Sequence, residues 1–306
     1  MIKAPPTPKG FRDINPELAQ KRRLAINKII EVLEQFEFDP IETPIIEFAS
    51  TLKGKYGEEE KLIYEFKDRG GRQLALRYDL TVPLARYVAT YNPKLPFRRY
   101  QIGQVFRGEN PQHGRYREFT QLDFDTVGSS DVKEDARIIA CAIRAVKAAG
   151  LANPIMAIND RKNFEDIPQD VVRSLDKLHK IGRAEVENEI EQRGYSKQDV
   201  GKYIEEMLNA QKTDKLKEIF LNLHEYGLSE SHDFFFESSL ARGLDYYTGA
   251  IFELKPSNDP VSLSIGAGGR YDNLIGMFVH PGKDGAKKST PAVGFSFGLD
   301  RLIETI

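Results

Sequence analysis

A chain of 306 residues, 40% hydrophobic and 29% charged, has material for a large core and a length that suggests about two domains. No apolar run approaches the roughly 18 residues of a membrane span, and the opening M-I-K-A-P-P-T-P-K-G lacks a secretory apolar stretch, so a cytosolic globular protein is expected. A formal net charge of -2 neither demands a polyanionic partner nor excludes one, because screened attraction reaches only about 8 Å at physiological salt and a local basic groove suffices.

In chain order, Asn15 before Pro16 reads as an N-cap and first-turn proline. Leu18, Ile26, Ile29, Ile30 and Leu33 then supply the apolar stripe of a long helix ending near Phe36. Prolines at 40 and 44 make residues 38–48 an extended edge segment. Strands are expected over 63–66, 73–77, 98–106 and 119–127, the first two joined by the hairpin-like turn D-R-G-G-R. A second helix is expected from about Asp131 to Ala149, with Ser130 as cap and Gly150 as stop. Cys141 falls on its apolar period and is expected to be buried. From Arg161 to Asp233 the chain turns polar and helix-periodic, broken at Gly182, Gly194 and Gly227, as a helical insertion would be. Strand character returns at 234–238, 250–254 and 261–265, and a last helix starts near Asp300.

Two local patterns fail on mechanism. Gly294 to Gly298, G-F-S-F-G, matches a nucleophile elbow, but the acid and histidine such hydrolases need downstream are missing, His280 being the last histidine. Gly282 to Ser289, G-K-D-G-A-K-K-S, has Lys287 where a phosphate loop needs its second glycine. The five histidines show no metal-ligand spacing and a lone cysteine completes no zinc site, so no structural metal is expected.

Two constellations remain. From Tyr100 to Asp125 a strand ends in Arg107 and Glu109, a Pro/Gly loop follows, and a second strand returns with Phe119, Gln121, Asp123 and Asp125 on one side. Arginines 107, 115 and 117 near the loop are suited to phosphate oxygens, unless the hairpin is merely an edge with solvated charges. Near the end, P-A-V-G-F-S-F-G-L-D-R-L alternates small residues at 294, 296 and 298 with bulky ones before Asp300 and Arg301, a strand whose one face a ligand can approach closely. Close strand-on-helix packing is the alternative.

The hairpin resembles motif 2 of class II aminoacyl-tRNA synthetases, an Arg-x-Glu, a loop and a returning phenylalanine, and the last segment resembles their motif 3. The long helix and T-P-I-I-E at Thr43 to Glu47 are compatible with motif 1. Arg242 to Tyr247, R-G-L-D-Y-Y, and Gly268 to Asp272, G-G-R-Y-D, are similar to the histidine-specific signatures of histidyl-tRNA synthetases. G-F-R-D at Gly10, L-R-Y-D-L-T at Leu76 and G-R-Y-R-E-F at Gly114 extend the resemblance over essentially the whole chain. Without it, R-G-L-D-Y-Y reads only as a turn into a strand with aromatic packing.

The resemblance implies an α+β fold: the class II synthetase antiparallel sheet flanked by helices, its catalytic core at 1–160 and 234–306, and a helical insertion domain at 161–233. It implies activation of L-histidine by ATP with Mg2+ and transfer to tRNA(His) by a homodimer, with motif 1 at the dimer interface. Arg107 is then expected at the α-phosphate, Arg301 at the γ-phosphate, Phe119 on adenine, Glu109 by its amino group and Arg115 among the ATP contacts. Arg242 is expected between the reacting carboxylate and the α-phosphate. Asp79, Thr81 and Gln121 match the amino and carboxylate ends of histidine, while Asp125, Tyr246, Tyr247 and Tyr271 belong to its pocket. Three positions depart from the family pattern: Asp79, where some members have glutamate; Ser296, in place of a motif 3 glycine; and Asp300, where glutamate is common. The family continues into an anticodon-binding domain, which is expected to be lacking here. That lack also suits a related non-aminoacylating protein, the ATP-phosphoribosyltransferase regulatory subunit.

Overall fold

The computed structural model describes residues 5–111, 114–241, 246–257, 263–278 and 289–306, with only the backbone at 58, 179 and 180. Helix α1, Pro16–Gln35, starts as its sequence dictates: Asn15 accepts from the Leu18 amide, and Pro16 occupies the first turn, where no amide hydrogen is needed. Then come β1 (Asp39–Pro40), β2 (Ile46–Phe48), α2 (Ala49–Leu52), β3 (Glu65–Lys67), β4 (Gln73–Leu76) and α3 (Thr81–Tyr91). The hairpin β5 (Phe97–Phe106) and β6 (Glu118–Val127) leads to α4 (Val132–Ala148) and β7 (Ile155–Asp160). Helices α5 (Gln169–Leu175), α6 (Leu178–Ile181), α7 (Arg183–Gln192), α8 (Lys197–Leu208) and α9 (Asp214–Glu225) follow. The chain ends with β8 (Phe234–Phe236), β9 (Ala250–Lys255), β10 (Gly266–Arg270), β11 (Ala292–Gly298) and α10 (Leu299–Thr305).

Eight strands form one sheet in the order β1-β5-β6-β11-β10-β9-β7-β8, and β2-β4-β3 form a second, smaller one. The large sheet is antiparallel except at its edges, where β1 runs parallel to β5 and β8 parallel to β7. Antiparallel partners point to the same face, and this register gives the sheet two unlike sides. One bears Leu122, Phe124, Phe295, Phe297, Phe252 and Leu254, all buried in a core with the apolar stripes of α1, α4 and α9. Each large side chain so buried contributes about 1.5–3 kcal/mol. The other side carries Arg99, Gln101, Gln121, Asp123, Asp125 and Ser296, aligned by the pairs Arg99 with Asp125, Gln101 with Asp123 and Ser296 with Asp123.

Several expectations shift on contact with the fold. The cap of α4 is Asp131, whose carboxylate accepts from the Lys133 amide, rather than Ser130, because Asp131 directly precedes the first helical residue. The strand expected at 63–66 is β3 at Glu65–Lys67, a 3-10 turn occupying Gly57–Leu62. Asp68 closes the D-R-G-G-R turn by accepting from the amides of Gly70 and Arg72. The strand expected at 261–265 falls partly outside the described residues, and the observed strand is the glycine-rich Gly266–Arg270. Side chains of α5, α7 and α8 join the apolar cluster beside the polar sheet face, whereas Leu216, Ile219, Phe220 and Leu223 of α9 enter the core behind the sheet. The last helix of the stretch 161–233 thus packs with the sheet layer.

Candidate functional site

Glycines bring the strands of the polar face close enough to form a floor. A Cβ on Gly294 would lie 1.8 Å from Asp125 Oδ1, and one on Gly268 only 2.2 Å from the Gly294 carbonyl oxygen. Only hydrogen at Gly294 lets the Asp125 carboxylate lie across β11.

Asp125 is held from two sides. Its Oδ1 accepts from the Tyr271 hydroxyl and its Oδ2 lies 2.7 Å from Nη2 of Arg99, a fully buried guanidinium. Burial pushes the Asp125 carboxyl up, and Arg99 and the tyrosine hydroxyl pull against it. Tyr246 meets Tyr271 edge-on at 6.0 Å and lies 4.8 Å from the Tyr247 ring, and Tyr247 covers Gly269, where a Cβ would come within 2.8 Å of the ring. The result is an aromatic pocket with one buried carboxylate and one tyrosine hydroxyl at its end, a pairing suited to a ring that carries both a donor and an acceptor nitrogen.

A second carboxylate lies beyond it. Asp79 Oδ1 accepts from the Val82 amide at the start of α3, 2.9 Å, and from the Tyr56 hydroxyl, 3.0 Å. Burial raises its pKa, opposed by the Val82 amide and by the charge of Arg107. Thr81 donates to Asp123 Oδ2 at 3.4 Å, and Gln121 donates to Ser296 Oγ at 2.9 Å. Asp79 and Thr81, at the start of α3, and Gln121, on β6, thus reach one polar patch from two segments of the chain.

Cations gather toward the loop end of the β5–β6 hairpin. The Arg107 guanidinium lies 4.3 Å from the Tyr78 ring centre and 5.1 Å from that of Phe119, while Nε donates to the Tyr78 carbonyl. Burial works against its charge, yet Tyr78, Asp79 and Glu109 raise its pKa on balance. Glu109 pairs with Arg115 at 3.2 Å. Arg301, at the start of α10, donates from Nη1 to the Ser264 carbonyl, and its buried Nε has no hydrogen-bond partner among the described residues. Burial and the charge of Arg115 lower the Arg301 pKa against the pull of Glu253. A guanidinium so placed is stabilised by an incoming anion.

Other matched residues serve structure. Arg117 donates to the Glu109 carbonyl and so shapes the loop. Asp300 accepts from the Thr120 amide and pairs with Arg12 and Arg22 at 2.6 Å for the latter, and Arg12 also stacks on Tyr116 at 3.8 Å. Arg270 is locked in a buried pair with Asp135 that ties β10 to α4. Ser296 sits within β11, away from the strand-to-helix bend that a nucleophile elbow requires. Arg242 and the neighbouring residues to 245 lie outside the described residues, as do 282–288 of the loop resembling a phosphate motif.

Sequence reasoning passed over Arg99 and Tyr56. The signal for Arg99 was its place opposite Asp125, legible only once the hairpin register is known; Tyr56 is brought to Asp79 by a turn that no sequence pattern marks.

A family model described as histidyl-tRNA synthetase matches residues 10–181 and 165–302. A histidine–tRNA ligase of Aeropyrum pernix is 41% identical over 98% of this chain and 74% of its own length. The solved histidyl-tRNA synthetase of a Nostoc species is 28% identical with a TM-score of 0.78, over 99% of this chain and 75% of that one. A Bacillus halodurans structure titled both ATP phosphoribosyltransferase regulatory subunit and histidyl-tRNA synthetase is 25% identical, also with a TM-score of 0.78, over 100% of this chain and 84% of that one.

Proposed function

The chain belongs to the histidyl-tRNA synthetase family, and on that premise we propose how its polar sheet face activates L-histidine with ATP and passes it to tRNA(His). The observation that carries the reading is the pairing, on one sheet face, of the Asp125–Tyr271 pocket with the guanidinium of Arg107. Histidine's imidazole enters between Tyr246, Tyr247 and Tyr271 and hydrogen-bonds Asp125 and Tyr271. Asp79, Thr81 and Gln121 hold its amino and carboxylate end. Phe119 stacks on adenine, with Glu109 near its amino group and Arg115 and Arg301 on the outer phosphates. Magnesium enters as ATP's own counter-ion, part of the substrate.

A carboxylate oxygen of histidine attacks the α-phosphorus in line, the bond to the bridging oxygen breaks, and pyrophosphate leaves. Negative charge spreads over the phosphoryl oxygens as this happens, so fixed cations supply the stabilisation and no protein nucleophile is needed. Arg107 meets that charge, and Arg242, which matches the family's arginine between carboxylate and α-phosphate, is the second cation. A terminal ribose hydroxyl of the tRNA then attacks the adenylate carbonyl and AMP leaves. The reaction belongs in the cytosol, and the part of residues 161–233 that precedes α9 is the insertion nearest the tRNA. Retention of Arg107, Arg242 and Arg301 favours the enzyme over the regulatory paralogue, which has no need of three cations around ATP. Histidine-dependent exchange of pyrophosphate into ATP tests the reading.

The homodimer has its own support. Across the small sheet, Phe48 and Phe66 flank Leu74 in register, and Ile46, Phe48 and Phe66 are 46%, 54% and 39% exposed. An apolar row of this kind is suited to a second copy. Phe48→Asp is expected to shift sedimentation from dimer to monomer at micromolar concentration; a wild-type chain that already sediments as a monomer contradicts the proposal.

A further inference from the structure

We propose that Asp123, a residue given no role above, is a direct ligand of the α-ammonium group of the amino-acid substrate. The inference rests on the histidine-activation reading and adds a specificity-determining residue to it.

Asp123 is 1% exposed and Gln121 8% exposed, yet Asp123 Oδ1 and Gln121 Oε1 have no hydrogen-bond partner among the described residues. Buried acceptors left this way cost stability unless something donates to them. The neighbouring cations are committed elsewhere. Arg99 reaches Asp125 through Nη2 and touches Asp123 only at its backbone carbonyl. Arg77 donates to the carbonyls of Thr43 and Gln104. The Asp123 carboxylate has the hydroxyls of Thr81, at 3.4 Å on Oδ2, and Ser296 as protein donors, and neither of them satisfies Oδ1.

The same three side chains form one patch. Gln121 is anchored through its amide nitrogen to Ser296, and Ser296 stands opposite Asp123 in the β6–β11 register. Gln121 therefore keeps its oxygen available beside the Asp123 carboxylate. The patch offers a carboxylate oxygen, an amide oxygen and the lone pairs of the Thr81 hydroxyl. An ammonium group, with three N–H donors and no acceptor, complements such a set. Burial and the nearby carboxylates of Asp125 and Asp79 act against an isolated charge here, bringing the Asp123 pKa to about 7 despite Arg99. A bound cation reverses that imbalance.

The test compares binding of L-histidine with binding of imidazolepropionate, which lacks only the α-amino group, by calorimetry on wild type, Asp123→Asn and Asp125→Asn. Asp123→Asn is expected to weaken L-histidine by about 10- to 100-fold, the worth of a hydrogen bond to a charged group, and to leave imidazolepropionate within about threefold. Asp125→Asn, at the imidazole end, weakens both. Thermal melts of each variant at the assay pH show that the fold is kept. An equal loss for both ligands in Asp123→Asn, or no loss for L-histidine, overturns the proposal. Wild-type protein that binds neither ligand overturns the histidine reading itself, and this proposal with it.

Discussion

Arg107→Ala is expected to lower the rate of adenylate formation by roughly 100- to 1,000-fold, the range seen when one preorganised donor to a developing oxyanion is removed. Substrate affinities fall less, because Phe119 and the histidine pocket remain. The expectation follows from how the side chain is held. Its guanidinium lies against two rings, Tyr78 at 4.3 Å and Phe119 at 5.1 Å, and is fixed by Nε on the Tyr78 carbonyl. Its position is set before ATP arrives, so little reorganisation is needed as charge develops. Single-turnover adenylation under saturating ATP and histidine measures the effect. A loss under tenfold, with an unchanged circular dichroism spectrum, removes Arg107 from the role.

Arg99→Met is expected to destabilise the fold as well as the pocket. The guanidinium is fully buried and its Nη2 lies 2.7 Å from Asp125. Removing one partner of a buried pair leaves the other charge uncompensated, a cost of about 3–5 kcal/mol. For a chain of this size that corresponds to a fall in Tm of about 5–15 °C. The double variant Arg99→Met with Asp125→Asn recovers part of the loss, since the orphaned carboxylate is then gone. Equal stability of the single and double variants contradicts the account.

The parts of the fold that the sequence made legible are those where one local signal suffices. Asn15 and Pro16 mark the start of α1, and alternation from Phe119 to Asp125 separates the site-facing residues of β6 from Leu122 and Phe124 behind them. β10 was displaced because G-A-G-G-R has the composition of a turn; its glycines are there for close approach to β11, a tertiary requirement. β7 and α3 were passed over between stronger patterns. Asp79, Thr81, Gln121, Asp125 and Tyr271 were identifiable through resemblance to a family, and the fold brings these five to one sheet face. The buried pairing of Arg99 was not identifiable that way, because a charged residue in a strand reads as solvated until its cross-strand partner is known.

The measurement that bears most directly on the central claim is exchange of labelled pyrophosphate into ATP by the purified chain, with each amino acid supplied in turn. Exchange with L-histidine alone, lost in Arg242→Ala, is the predicted result. Absence of exchange with L-histidine, or equal exchange with other amino acids, contradicts the assignment of this sheet face as a histidine-activating site.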